Sequence, residues 1–332
     1  VPANRPTGQT LEGCQAVRES DAELFGVETS SGEESPLGIF DLVDFADYLA
    51  LDAVNNSRLK HAAKSQKHYR HAVENPQPIK SDALRFGSLV HHRKLEPESF
   101  RERYHVIPDF SDQVADMKGN RPKNPKATKE YKVLVERERT KAKKAKKEIV
   151  TPEDYDRMMG AVDAINDKES AARCFRRGKP EQTIVWREGD LLCKARPDYW
   201  QPSSTGGADR FIDLKTTQDA ADFGRTIAKF DYHRQAAWYL RGARAVGLDV
   251  TEFVFVAVES TAPHGVVVAP LHPEAIEVGA DEVERLLKIV QSYHKTGICE
   301  DMPDPDYWRL PGWKRPKSKP LVIKHKGRKI KV

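Results

Sequence analysis

"FIDLKTTQDA", residues 211–220, begins like a buried strand yet places an acid, Asp213, two residues before a base, Lys215. Side chains on a strand alternate between its two faces, so Asp213 and Lys215 point one way and Ile212 and Leu214 the other. One face is apolar and the other is chemical. A lone acid-x-lysine pair of this kind is most often a surface ion pair on an edge strand, so its meaning rests on what surrounds it.

Upstream, "TIVWRE" (183–188) and "LLCKARPDYW" (191–200) read as strands and "SSTGGAD" (203–209) as a turn, which makes a hairpin with "RFIDLKT" (210–216). If residues 200 and 209 flank the loop, Asp198 lies opposite about residue 211, close to Asp213 and on the same face. Two buried carboxylates are costly unless a cation neutralises them, and oxygen ligands suit Mg²⁺ or Mn²⁺. Lys215 beside them can steady an attacking water or the charge developing on a phosphate. Taken singly, Asp198 in "ARPD" is ordinary turn chemistry.

Downstream, "FGRTIAKFDYHRQAAWYLRGARAVG" (223–247) reads as one helix leading into "TEFVFVAVE" (251–259), a β-branched and aromatic run suited to burial on both faces. Strand, helix, strand implies a parallel crossover. "GVVVAPL" (265–271) adds a strand, and a closing helix ends at Gly297. The expected class is α/β, a mixed central sheet flanked by helices. Gln235 and Tyr239 share a face of the crossover helix, where an amide and a phenol can reach a phosphate or a base edge or simply pack. Helical signals also run through "FDLVDFADYLALDAV" (40–54), "NSRLKHAAKSQKHYRHAV" (56–73), with Asn56 or Ser57 as cap, and "SDALRFGSLVHHRKL" (81–95), capped by Ser81. In the last, Gly87 permits close approach of another backbone, and His91, one turn on, can bind metal through a neutral nitrogen. The adjacent His92 leaves that choice open.

The 332 residues, 39% hydrophobic, suffice for a sizeable core. Residues 1–36 lack periodicity and read as a flexible leader, and 37–313 as a single domain in which about 100–180 forms a charged helical insertion. Net charge is only +5, but bases crowd "KGNRPKNPKATKEYKVLVERERTKAKKAKK" (118–147) and the acid-free tail "KRPKSKPLVIKHKGRKIKV" (314–332). Each is either a solvated surface or a phosphate-contacting one. Four scattered cysteines without CxxC argue against a disulfide scaffold. No apolar run is long enough to span a bilayer and the start lacks signal-peptide features, so a cytoplasmic protein without a membrane partner is expected.

The ordered set "FGSLVH" (86–91), Glu181 in "PEQTIVW", "CKARPD" (193–198), "IDLKT" (212–216) and "YHRQAAWYL" (232–240) resembles the PD-(D/E)xK nuclease superfamily, in its RecB-like branch. "NSRLK" (56–60) and "KTGICEDMPDPDYWRLPGW" (295–313) bring it nearer the phage and prophage RecE-type exonucleases (exodeoxyribonuclease VIII). That resemblance implies a restriction-endonuclease-like core with His91, Asp198, Asp213 and the Leu214 carbonyl as metal ligands. It implies Lys215 as the catalytic lysine, Gln235 and Tyr239 as residues that contact DNA or position the lysine, and Glu181 as a further catalytic acid. The implied activity is Mg²⁺-dependent 5′ to 3′ exonuclease action on linear duplex ends in phage-type recombination, with Mn²⁺ as substitute. A single-strand annealing protein and a ring-like homo-oligomer are the implied partners. Some relatives carry an iron–sulfur cluster on one cysteine before and three after the core; only Cys299 follows it here, so no cluster is expected. A catalytically silent DNA-binding protein and an endonuclease on the same fold are the competing readings.

Overall fold

A computed structural model describes residues 37–304 apart from 42, 77–80, 116–118 and 204–205, together with the backbone of two short paired strands, Val322–His325 and Arg328–Lys331. The leader, most of the basic tail and the "DYWRLPGW" end of the resemblance lie outside the described residues.

The opening stretch lies at the centre of the fold. Asp209–Thr217 (β8) pairs in parallel with Val250–Glu259 (β9) and antiparallel with the short Tyr199–Gln201 (β7), in a five-stranded mixed sheet ordered β10-β9-β8-β7-β4, where β10 is Val266–Pro270 and β4 is Lys179–Pro180. Alternation divides the interior in two. Phe211, Phe253, Phe255 and Ala257 pack on one side with Tyr232–Ala245 (α10) and Pro273–Thr296 (α11). Ile212, Leu214, Val254, Val256 and Val258 pack on the other with Asp82–Leu95 (α4) and Pro152–Asp167 (α7). Asp213 and Lys215 therefore follow Phe211 on a face that begins as core. Met158 and Ile165 of α7 are fully buried, each worth about 1.5–3 kcal/mol relative to exposure.

A second, three-stranded sheet combines Gly38–Phe40 (β1), Thr183–Glu188 (β5) and Leu191–Ala195 (β6). "LLCKARPDYW" is thus two strands serving two sheets, broken at Pro197, which has no N–H for a ladder. The hairpin register differs from the expected one by two residues: Tyr199 faces Ile212 and Trp200 faces Phe211, so the next step sets Asp198 beside Asp213. Parity survives because side chains repeat every second residue.

Three helix expectations change. Phe40, the first residue of the expected 40–54 helix, instead ends an edge strand on β5, and only Phe45–Ala50 (α1) of that run is helical. Asn55, rather than Asn56 or Ser57, caps Asn56–Ala62 (α2) by accepting from Arg58 N. The crossover helix breaks into Phe223–Phe230 (α9) and α10 at Asp231, whose φ of 55° is left-handed. Ser81 and Gly297 cap α4 and α11 as expected, and Thr151 caps α7.

Within 100–180, Tyr104–Val106 (β2) and Glu148–Val150 (β3) form a parallel pair joined through the charged helix Lys129–Lys144 (α6). Ile107, Phe110, Val114 and Tyr131 give this part a small core of its own, whereas α7 packs on the central sheet. Among the described residues no helix is long and apolar enough to cross a membrane.

Candidate active site

β7 and β8 part company after Tyr199, and the site forms where they separate. Residues 212 and 214 of β8 direct their N–H and C=O groups toward β7, but the pairing ends at Ile212. Leu214 is left with an unpaired donor and acceptor, and side chains take both. Asp198 Oδ2 accepts from Leu214 N at 2.7 Å, and His91 Nε2–H donates to the Leu214 carbonyl at 2.5 Å. His91 reaches it because α4 lies close on β8: a Cβ at Gly87 would sit 3.3 Å from Thr216 Oγ1. His92, one residue on, turns away, its Nδ1–H donating to the Tyr104 hydroxyl and its Nε2 accepting from Arg103. The ambiguity between the two histidines resolves to His91.

Glu181 enters from the other side of Asp198. Its φ of 53° is left-handed and its N–H donates to the Asp198 carbonyl at 3.0 Å, which turns the side chain toward the site. Ligand-type atoms of His91, Glu181 and Asp198 lie within 4.8 Å of one another. Asp213, 1% exposed, adjoins this group but is differently engaged. Its Oδ1 accepts from Gln235 Nε2 at 3.0 Å, and its Oδ2 is ion-paired with the Lys215 ammonium. Gln235 also donates to the Tyr239 hydroxyl at 3.1 Å, so this pair fixes the orientation of Asp213.

Two residues escaped the sequence reading. Arg196 donates through Nε to Glu181 at 2.7 Å and through Nη1 to the Val43 carbonyl at 2.8 Å, tying the chain before α1 to the site. It stands two residues before Asp198, in a stretch whose turn chemistry concealed it. The ring of Tyr232 lies 5.0 Å from the Lys215 ammonium. It sits three residues before Gln235, one helical turn, which was the available signal.

Charge is out of balance. Three carboxylates (Asp198, Asp213, Glu181) meet two cations (Lys215, Arg196) in a buried space. Burial and the neighbouring Asp198 raise Asp213 to about 6 and Glu181 to about 7. Burial raises Asp198 as well, against the pull of Lys215 and the Leu214 N–H. Burial and Lys215 lower His91, favouring the neutral imidazole that ligates metal. Burial alone would lower Lys215, but Asp213 and Asp198 hold it above the usual lysine range, so it stays an ammonium. A divalent cation answers three features: the excess negative charge, the neutral imidazole and the Leu214 carbonyl. The carboxylate and carbonyl oxygens of this set suit Mg²⁺ or Mn²⁺.

A pH dependence follows in the metal-free protein. Folded Glu181 keeps its proton at pH values where the unfolded chain has released it, so the folded state binds more protons between about pH 4.5 and 7. Its contribution to stability is therefore lost as pH rises through that window. Glu181→Gln removes this titration and should shrink the loss between pH 4 and 8 by roughly 1–3 kcal/mol. Urea unfolding at several pH values measures it; a slope equal to wild type contradicts the assignment.

Among curated proteins none matches the chain. A solved Eubacterium rectale protein named "Putative exonuclease" is similar at 13% identity and a TM-score of 0.48, covering 83% of this chain and 93% of its own. A second, SSO0001, aligns at 14% identity and a TM-score of 0.25 over 40% of this chain and 59% of its own. Neither carries weight at that similarity. The family model described as a PDDEXK-like domain of unknown function (DUF3799) matches residues 55–302, which include every residue of the site described above except Val43. The mixed sheet and its helices are consistent with that fold, and the chain belongs to this PDDEXK-like family.

Proposed function

We propose that the chain is a Mg²⁺-dependent deoxyribonuclease, acting as a 5′ to 3′ exonuclease on linear duplex DNA. The observation that carries the nuclease reading is the meeting of His91, Asp198, Glu181, Asp213 and Lys215 at the parting of β7 and β8. Structural ion pairs seldom gather three acids around too few cations in a buried space, whereas metal-assisted phosphodiester hydrolysis uses such a cluster. Polarity and the place in recombination come from the resemblance to RecE-type exonucleases.

The residues divide the work. His91, Asp198, Glu181 and the Leu214 carbonyl, with Asp213 adjoining, would hold the cation, which when bound polarises the phosphate and makes water more acidic. Gln235 fixes one oxygen of Asp213, leaving the other toward Lys215. Lys215, kept protonated, offers positive charge to the phosphate as negative charge grows. Tyr239, raised well above its ordinary range by burial, stays a hydroxyl and can accept from Gln235.

The grip on the backbone is assigned to α6. Lys129, Lys132, Arg139 and Lys143 recur three, seven and four apart on one exposed line about 21 Å long, well round the helix from the buried Tyr131 and Ala142. Among the described residues none of the four is in an ion pair. Changing all four to alanine should flatten log K against log salt by about 0.9 for each phosphate that is no longer neutralised. Deleting residues 314–332 should act in the same sense if the tail also grips. An unchanged slope in either variant would make that segment a solvated surface.

Closed circular DNA tests the mode of attack. An exonuclease degrades end-labelled linear duplex and leaves the closed circle intact. Nicking of the circle would show an endonuclease on the same fold, and binding without cleavage an accessory protein.

A further inference from the structure

One chain of aromatic rings leads from the buried sheet to the surface past Lys215. Phe253 and Phe255 of β9 pack at 5.1 Å between ring centroids; Phe255 stacks with Tyr232 at 5.9 Å and 29°; Tyr232 stacks with Phe230 at 5.7 Å and 29°. Phe230 ends the row and is 44% exposed. It stands outward because α9 and α10 break at Asp231, whose left-handed backbone separates the last residue of one helix from the first turn of the next. A cation flanks the row at both rings: the Lys215 ammonium lies 5.0 Å from the Tyr232 ring and Lys229 Nζ 5.2 Å from that of Phe230.

We infer that Phe230 is a stacking platform for an unpaired nucleobase of the substrate strand, next to the phosphate that Lys215 serves. This rests on the nuclease reading and deepens it by naming the form of nucleic acid the site receives. A ring held nearly parallel to Tyr232 is ordered before the base arrives, so little entropy is lost on stacking. Base–aromatic stacking tolerates any sequence because every base offers a π-face. Bases inside a duplex have both faces covered by their neighbours, so only a frayed, terminal or single-stranded base can use the ring. Lys229 supplies charge of the right sign for the adjoining phosphate.

The test is equilibrium binding in Ca²⁺, with Mg²⁺ omitted to hold back cleavage, of oligonucleotides carrying 2-aminopurine at successive positions from the end. Wild type should change the fluorescence of one or two positions in single strands and frayed ends, and of none deep within a duplex. Phe230→Ala should abolish that change and weaken single-strand binding about tenfold. Phe230→Leu, which keeps apolar bulk without a π-face, should behave like alanine, and Phe230→Trp should restore both signals. Alanine and leucine variants that bind with wild-type affinity and fluorescence would overturn the platform while leaving the nuclease reading intact. A wild-type protein that neither binds nor cuts DNA would overturn both.

Discussion

Lys215→Ala is expected to lower the turnover of DNA cleavage by about 10²–10³-fold while changing DNA affinity little. The magnitude is that of removing one charged donor aimed at developing negative charge in a site sheltered from water. Affinity should be spared because, on the proposed reading, the exposed bases of α6 supply phosphate contacts that Lys215, only 16% exposed, cannot. The substitution also leaves buried Asp213 without its cation, and breaking such a pair costs about 3–5 kcal/mol of stability. Thermal unfolding must therefore accompany the kinetics, and bound metal should return part of the loss by supplying another positive charge. A parallel fall in affinity and turnover would make Lys215 a structural lysine.

Asp198→Asn is the second large effect, and it separates charge from architecture. An asparagine oxygen can still accept from Leu214 N, so the junction of β7 and β8 should persist. What disappears is the negative charge between His91 and Glu181. Calorimetric titration with Mn²⁺ should show affinity reduced at least about 100-fold, with cleavage lost at ordinary metal concentrations. Because ligation requires deprotonated carboxyls, wild-type affinity should also climb as pH passes through the ranges of Asp213, about 6, and Glu181, about 7. Undiminished metal affinity in Asp198→Asn would move the metal elsewhere.

Much of this site is legible in the sequence because a strand's two-residue period is insensitive to even register errors. The misplaced hairpin loop still put Asp198 and Asp213 on one side of the sheet, and the structure brings them level. Helical spacing likewise paired Gln235 with Tyr239, though their shared target, Asp213, is a tertiary contact that spacing does not encode. His91 and His92 are adjacent on α4, and only the approach of β8 chooses between them. Glu181 came through the resemblance alone, since its direction depends on a left-handed backbone that nothing local demands of a glutamate. The break at Asp231 was hidden by the good helix formers on both sides of it. Where Phe40 joined an edge strand on β5, tertiary pairing overrode a helical pattern.

The most direct measurement is hydrolysis of end-labelled linear duplex DNA by the wild-type chain as Mg²⁺ is titrated in and then removed by chelator. The account predicts saturable release of label that rises with Mg²⁺, stops on chelation and is nearly absent in Lys215→Ala. Hydrolysis that ignores both the metal and Lys215, or tight binding of DNA without hydrolysis under Mg²⁺ and Mn²⁺ alike, would contradict it.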